Sequence, residues 1–244
     1  MDHNLIWLAL IVLISYTTQA MSGFGSTILA LTLGINLYPI EVLLPVLVPL
    51  DLLVNLYLVA CHHRHLNRPL LFSSILPAMG IGLLAGIFVF QFIHGVLLKK
   101  IFGILVILLS VRELYRLFRK DRNQKVLSPK GSIACMTLAG LMHGIYASGG
   151  PLLIYALSRQ NIPKSVFRST LAAVWLILSI ILTASYFITG TFSWESLRAI
   201  ATLIPVILCG LVLGEWLHRG IAEYPFKIFV FVVLLVAGFS ICFG

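Results

Sequence analysis

The chain has 244 residues, of which 60% are hydrophobic and only 10% are charged, and its formal net charge is +9. Soluble domains carry about 25% charged residues, so this composition excludes a soluble globular protein and predicts an all-α polytopic membrane protein. The basic residues are expected in loops that fix orientation in the bilayer. Nucleic acid is therefore not expected as a partner.

The first half of the chain, residues 1–118, begins with an apolar segment at about 4–37 that a glycine-rich break interrupts. The break reads Met21-Ser22-Gly23-Phe24-Gly25-Ser26, and an apolar run follows it. Stretches of about 20 apolar residues can cross a membrane. Three such spans are predicted after the break, at about 40–61, 69–92 and 96–118, and a basic linker follows at 119–130.

The second half, residues 131–244, repeats this order. A broken segment at about 131–159 contains Met142-His143-Gly144-Ile145-Tyr146-Ala147-Ser148-Gly149-Gly150-Pro151, which we match to the first break from its Met-x-Gly start. Spans are predicted at about 163–188, 194–217 and 223–243. Pro77, Gly82 and Gly86 have the same spacing as Pro205, Gly210 and Gly214. The shared order of landmarks predicts an internal duplication.

The basic residues favour re-entrant hairpins for the two broken segments over helices that cross the membrane once. With re-entrant hairpins, most of the seventeen basic residues fall on one side of the membrane, as the positive-inside rule requires. The limbs 131–143 and 151–159 are also expected to be too short to span separately. Each half then crosses three times, which predicts inverted halves, with both termini extracytoplasmic and the protein in a bacterial inner membrane.

Matched breaks in two halves of a membrane protein predict a substrate site. Each break leads into a helix whose first N–H groups lack partners and whose dipole is positive at that end. Two such ends form an anion site without basic side chains, although glycines that only allow close helix packing remain an alternative. The candidate substrate-binding residues are Ser22, Gly23, Gly25, Ser26, Thr27, His143, Gly144, Ser148, Gly149, Gly150 and Pro151.

Several other polar or aromatic residues lie inside the apolar segments. Asp51, with Asn55 one helical turn later, is either a carrier of a coupling proton or a structural partner bonded to Asn55 or to a break. His143 either contacts the substrate or satisfies the scaffold. Three residues are candidates for the entry or the cavity lining, with snorkelling and aromatic packing as the alternatives: Arg168, Tyr146 and Trp175.

No cofactor and no metal site is predicted. The four cysteines lack the spacing of metal ligands, and His62, His63 and His65 fit a solvated loop better than a metal site. The sequence contains no Gly-x-x-x-x-Gly-Lys-Ser/Thr loop, so it carries no ATPase of its own. An enzyme is not expected. An intramembrane enzyme would need a nucleophile with a base, or paired acids, and Asp51 and His143 are the one plausible titratable pair at mid-membrane.

The two glycine-rich breaks, the Pro-x-x-Val sequences at Pro39 and Pro163 and the basic linker resemble the TauE/SafE sulfite exporter family (TSUP). The resemblance covers nearly the whole chain. It implies a secondary transporter with alternating access for a small sulfur-containing anion such as sulfite, thiosulfate or an organosulfonate. An anion channel of the same architecture and a carrier of non-sulfur organic anions remain alternatives, and a homodimer stays open. Phe24 departs from a more glycine-dense break, so the second break is expected to be the stronger anion cradle.

Overall fold

The computed structural model describes residues 3–92, 95–119, 128–157 and 162–220, together with scattered positions between 224 and 242. All regular elements in these residues are helical. They are α1 (His3–Ser22), α2 (Ser26–Gly34), α3 (Ile40–His62), α4 (Arg68–Leu70), α5 (Leu76–Phe90), α6 (Gly95–Arg119), α7 (Pro129–Tyr146), α8 (Gly150–Leu157), α9 (Lys164–Ile188) and α10 (Trp194–Gly220). A π-helical turn, Leu71–Ile75, joins α4 to α5 without interrupting the helical rod.

Long apolar helices confirm the prediction of an all-α polytopic membrane protein. Five helical stretches of the described chain are long and apolar enough to cross a membrane: Asn4–Met21, Ile40–His65, Arg68–Phe90, Ser165–Ile188 and Trp194–Leu217. Four of them match predicted spans, and the fifth is α1. Helix α6 covers the predicted span 96–118, but lysines and arginines flank its apolar centre. The predicted span 223–243 lies mostly outside the described residues, as do positions 120–127 of the linker.

The outer surfaces of these helices are apolar as well. On α5, Ile81, Leu84 and Phe88 each expose more than 60% of their surface. A helix that is apolar all round is typical of a protein surrounded by lipid. The molecule therefore has two kinds of apolar surface, one packed in its core and one suited to hydrocarbon chains.

The two breaks share a backbone conformation that defines their correct alignment. Helix α1 ends before Gly23 (φ 84°) and α7 ends before Ala147 (φ 50°), both left-handed. The N–H of Gly23 donates to the Gln19 carbonyl at 2.7 Å, and the N–H of Ala147 donates to the His143 carbonyl at 2.8 Å. Gly23 and Ala147 are 124 residues apart in the sequence.

This alignment corrects the one predicted from the Met-x-Gly starts, which paired Gly23 with Gly144. In the structure, His143 and Gly144 lie within α7, and the second break begins only at Ala147. Left-handed backbone usually requires glycine, but here an alanine adopts it. The sequence therefore carries no glycine at the position that ends α7.

The chain reverses direction at the first break, so α1 and α2 form a helical hairpin. A Cβ atom built on Gly34, at the end of α2, would lie 3.7 Å from Leu8 Cδ1 near the start of α1. At the second break, Gly149 turns back onto the Ala139 carbonyl of α7. Re-entrance into the membrane stays a prediction, but the hairpin geometry matches it better than a single interrupted crossing.

The first limb of the second hairpin is longer than expected. Helix α7 has 18 residues, about 27 Å at 1.5 Å per residue, against the roughly 30 Å of a bilayer core, and it is not among the stretches apolar enough to cross. The second limb, α8, has 8 residues, and the expectation that the two limbs are too short to span separately stays a prediction. Pro129 extends the helix at its start, where a missing N–H costs nothing, and Ser128 caps it by accepting from the Gly131 N–H at 3.2 Å.

Each hairpin packs against the other half of the chain. Helix α1 lies along α10, α7 lies along α5, and α3 lies beside α9. The landmark glycines sit at these crossings: Gly82 and Gly86 face Leu141 and Gly144, whereas Gly210 and Gly214 face Thr17 and Ala20. Thr17 and Ala20 precede Leu141 and Gly144, respectively, by 124 residues.

Reciprocal contacts of this kind are what a two-fold relation between two units produces. Small residues let the crossing backbones approach closely, so the packing alternative for the glycines holds for Gly144, which meets Gly86. Inversion of one half relative to the membrane stays a prediction.

Candidate functional site: a central cavity between the two breaks

The two breaks meet at one cavity in the middle of the molecule, with about 330 Å³ of empty volume. Its walls come from both hairpins and from α3 and α9. The lining residues are Gln19, Phe24, Gly25, Ser26, Thr27, Ile28, Asp51, His143, Ala147, Ser148, Gly150, Pro151 and Trp175. Nine of them are residues that the sequence singled out for the site or its surroundings.

One wall of the cavity carries buried polar groups that have no hydrogen-bond partner in the part of the chain that the structure describes. His143 is 2% exposed, and its ring stacks on Trp175 with centroids 5.3 Å apart and planes at 21°. Neither ring nitrogen of His143 has a hydrogen-bond partner among the described residues, and the same holds for Ser148 Oγ and Trp175 Nε1. Ser148 and Trp175 are each 5% exposed.

Buried polar side-chain atoms are nearly always hydrogen-bonded in folded proteins. Three unpartnered groups on a single wall therefore indicate that something polar belongs in the cavity. All three can donate a hydrogen bond, so a ligand rich in acceptors fits this wall.

Two helix N-termini also open onto the cavity. The first helical hydrogen bond of α2 runs from the Leu29 N–H to the Gly25 carbonyl (3.1 Å), and that of α8 runs from the Leu153 N–H to the Gly149 carbonyl (3.2 Å). The N–H groups before these bonds have no partner within the helix. In α2 they belong to three successive lining residues, Ser26 to Ile28, whereas α8 begins with Gly150 and with a proline that has no N–H.

The two breaks are therefore unequal, but the difference is one of donor type, whereas the sequence led us to expect that the second break is simply the stronger anion cradle. The first break presents more backbone donors, and the second presents free side-chain donors. Both place the positive end of a helix dipole toward the same space.

The cavity lining also includes Asp51, which lies in a closed hydrogen-bond network. Asp51 is 5% exposed. Its Oδ1 accepts from Ser26 Oγ at 2.9 Å, and its Oδ2 accepts from Asn55 Nδ2 at 2.8 Å and from Ser179 Oγ at 3.2 Å. Gln19 Nε2 donates to Asn55 Oδ1 at 3.1 Å, which fixes the orientation of the Asn55 amide.

These contacts match the structural alternative for Asp51, which foresaw bonding to Asn55 and to a break. They also redefine Ser26. Its hydroxyl donates to Asp51, so it is not free to donate to an anion in this arrangement.

Equivalent positions of the two halves have diverged across the cavity. Positions 124 residues apart pair Gln19 with His143, Asp51 with Trp175 and Asn55 with Ser179. In the first half the paired side chains bond to one another, whereas His143 and Trp175 in the second half remain unpartnered among the described residues.

Arg168 holds the end of α1. Its Nη2 donates to the Ala20 carbonyl at 2.5 Å and to Glu215 Oε1 at 2.7 Å. A Cβ atom on Gly23 would lie 2.9 Å from Arg168 Cγ. Arg168 and Gly23 therefore form a joint between α1, α9 and α10 and do not line the cavity.

Other predicted site residues also lie outside the lining. Gly149 packs closely on Ala139 and on the His143 side chain of its own hairpin. The Tyr146 ring packs on Phe102 with centroids 4.8 Å apart, which is the aromatic-packing alternative. The side chain of Ser22 falls outside the described residues.

Four lining residues were not predicted as site residues: Gln19, Phe24, Ile28 and Ala147. Gln19 lies one helical turn before the first break, as His143 does before the second. The side chain one helical turn before a break therefore faces the cavity in both halves, and this spacing is a sequence signal that could have identified Gln19.

Long apolar helices, two helical hairpins and a buried polar cavity between them define a multi-pass integral membrane protein built as a transporter. A family model described as "Sulfite exporter TauE/SafE" matches residues 8–241, and the chain belongs to this family. The family is one of membrane transporters of the sulfite-exporter type, not of enzymes. No match to the chain was found among curated proteins or among solved structures.

Proposed function

We propose that the protein is a secondary transporter that binds a small sulfur-containing anion, such as sulfite, thiosulfate or an organosulfonate, in the central cavity. One observation carries the proposal. The unpartnered groups of His143, Ser148 and Trp175 face the same space as the N-termini of α2 and α8.

The donors suit an oxyanion because they come from several directions. Ser148 Oγ, Trp175 Nε1 and one ring nitrogen of His143 would donate from side chains, and the backbone N–H groups at the start of α2 would donate from a helix N-terminus.

Transport would follow from movement of the two halves around this site. We propose that the halves are inverted, that the hairpins are re-entrant and that both termini are extracytoplasmic in a bacterial inner membrane. The reciprocal packing of α1 on α10 and of α7 on α5 supports this arrangement. Rocking of one half against the other then opens the cavity to alternate sides of the membrane.

Uptake into proteoliposomes tests the proposal. The purified protein is reconstituted, and uptake of radiolabelled sulfite is measured with and without excess unlabelled thiosulfate or methanesulfonate. We expect saturable uptake that at least one of these anions inhibits. If sulfite is not taken up and no sulfur anion binds, the proposed substrate class is wrong. Uptake that does not saturate, together with single-channel currents, would contradict a carrier.

A further inference from the structure

We propose that the ion pair between Arg168 and Glu215 is a gate on one side of the central cavity. It closes the route between the cavity and the end of the helix bundle that carries the α3 tip, His63–His65. The proposal rests on the proposed function, since a gate has a role only where a substrate passes. It goes further by naming the contact that must break before the cavity opens on that side.

The ion pair lies between the cavity and the α3 tip. Arg168 precedes the lining residue Trp175 by seven residues of α9, which is about 10 Å along the helix. The start of α9 contacts the α3 tip, and the Asn67 N–H just after this tip donates to Thr170 Oγ1 at 3.2 Å. The side chains of Arg168 and Glu215 are 14% and 29% exposed. The pair therefore reaches the surface, whereas Trp175 is buried.

The contacts of Arg168 connect the two halves of the chain. Its Nη2 donates both to Glu215 in the second half and to the Ala20 carbonyl, which belongs to the first hairpin. Ala20 lies three residues before Gly23, where the first break begins, and the Arg168 side chain packs against Gly23. Because the partners of Arg168 lie in different halves, rocking of one half against the other must separate them before this side opens.

This contact can separate at a low cost in free energy. Both hydrogen bonds use the same guanidinium nitrogen, and Arg168 Nε has no hydrogen-bond partner in the described part of the chain. A bidentate pair between arginine and a carboxylate would be stronger and more rigid. Ion pairs that are partly exposed also contribute little to stability, because water and salt screen them. These properties suit a contact that forms and breaks in every transport cycle.

The equivalent joint in the other half is apolar. The spacing of 124 residues and the order of the landmark glycines place Leu44 and Ile87 at the positions equivalent to Arg168 and Glu215. Leu44 is completely buried. The Ile87 N–H nitrogen would lie only 2.8 Å from a Cβ atom on Gly144. Apolar packing closes this joint, so we expect a gate that depends on charge on the side of the α3 tip only.

Labelling of a cysteine in the cavity tests the gate without a substrate. In a parent variant that lacks the native cysteines, Ile28→Cys places a thiol on the cavity lining, at a position that is 5% exposed. Membrane vesicles of both orientations are treated with a charged, impermeant methanethiosulfonate reagent, and the rate of modification is measured from each face. Labelling of His65→Cys identifies the face with the α3 tip, so the result does not depend on orientation in the cell.

We expect Glu215→Gln to raise the rate of modification at Ile28→Cys at least about threefold from the face with the α3 tip. The rate from the other face should not change. The matched control is Glu113→Gln, which removes an ion pair with Arg116 (3.3 Å) within α6 and should leave both rates unchanged.

Salt gives a second measurement, made on the parent variant. Raising the ionic strength about tenfold shortens the screening length about threefold, which weakens a partly exposed ion pair. The rate at Ile28→Cys from the face with the α3 tip should then rise relative to the rate at the exposed His65→Cys. The same change in salt should have a smaller effect in Glu215→Gln, where the pair is already broken.

The outcomes separate the gate from the proposed function. An unchanged rate in a folded Glu215→Gln, equal increases from both faces, or the same increase in Glu113→Gln would overturn the gate and leave the transporter standing. If Glu215→Gln does not fold, the parent decides, since a rate that does not rise with salt would overturn the gate. Absence of sulfur-anion binding and uptake would instead overturn the proposed function, which the labelling does not involve.

Discussion

His143, Ser148 and Trp175 form an unusual group because each is almost completely buried without a partner among the described residues. A buried polar group left unsatisfied costs about 1–3 kcal/mol. Each of the three groups can instead bond to a polar ligand, so this wall favours a ligand rich in hydrogen-bond acceptors.

Replacing Ser148 with alanine should weaken substrate binding without reducing stability. Hydrogen bonds to charged groups contribute about 1.5–3 kcal/mol, so the apparent affinity should fall about 10- to 150-fold. The thermal midpoint of the ligand-free protein should stay the same or rise slightly, because an unsatisfied hydroxyl is removed. Ser185→Ala is the control, since that hydroxyl donates to the Leu182 carbonyl within α9. Equal losses of affinity in both variants would contradict a contact between Ser148 and the substrate.

Gly23 is required for two separate reasons, and a substitution can measure both. Gly23→Ala should lose about 1–2 kcal/mol from the left-handed backbone alone, and more because the new methyl group would displace Arg168. Gly190 also has a positive φ, 66°, but a Cβ atom there would meet nothing within 4 Å. Gly190→Ala should therefore show the backbone cost only, measured as a thermal midpoint in detergent. A Gly23→Ala loss no larger than that of Gly190→Ala would mean that the joint with Arg168 contributes nothing.

At the level of whole helices, close crossings hold the two halves together. Without a hydrophobic driving force between helices in lipid, association depends on packing that only small residues permit. Helix α5 offers a matched pair for testing this. A Cβ atom at Gly82 would overlap with the backbone of Thr137 and Leu141 in α7, whereas one at Gly80 would meet nothing within 4 Å.

We expect Gly82→Ala to destabilise the protein by about 1–3 kcal/mol, as overpacking typically does. Gly80→Ala should be neutral or stabilising by up to about 1 kcal/mol, because alanine favours helix over glycine. Unfolding in detergent, followed by far-ultraviolet circular dichroism, gives both values. Similar behaviour of the two variants would show that the crossing of α5 and α7 is not tightly packed in solution.

Sequence reasoning succeeded for the helices and partly failed for the breaks, for a physical reason. A membrane span is recognisable in the sequence as a run of about 20 apolar residues, and four predicted spans match helices of the expected length. A break depends on one or two backbone angles. Glycine marks the first break at Gly23, but Ala147 adopts the left-handed conformation in the second, so the alignment slipped by three residues to Gly144.

For the molecule as a whole, a cavity between the two breaks could be predicted from the sequence. Which of its polar side chains are free to bind a ligand could not. The repeated breaks predict that Ser148, Gly150 and Thr27 lie close together, and all three line the cavity. Which hydroxyls are free depends on side chains from distant segments: Ser26 is engaged because Asp51 reaches it from α3, 25 residues away. The reciprocal packing of the hairpins likewise depends on contacts between the halves that no local pattern encodes.

Orientation in the membrane is a prediction that chemical labelling can check. In a variant without the native cysteines, Asn4→Cys and Trp194→Cys should react with an impermeant maleimide applied to intact cells. His65→Cys, in the short turn after α3, should react only after the membrane is permeabilised. If Asn4→Cys is protected while Trp194→Cys is labelled, the first hairpin crosses the membrane and the halves are not inverted.

The tips that follow α3 and α9 differ in composition. The tip between α9 and α10 carries exposed Phe187, Ile188 and Trp194, whereas the tip after α3 carries histidines and arginine. Aromatic side chains settle at the headgroup layer, so we expect the α9–α10 tip to anchor in the bilayer surface and the α3 tip to extend into water.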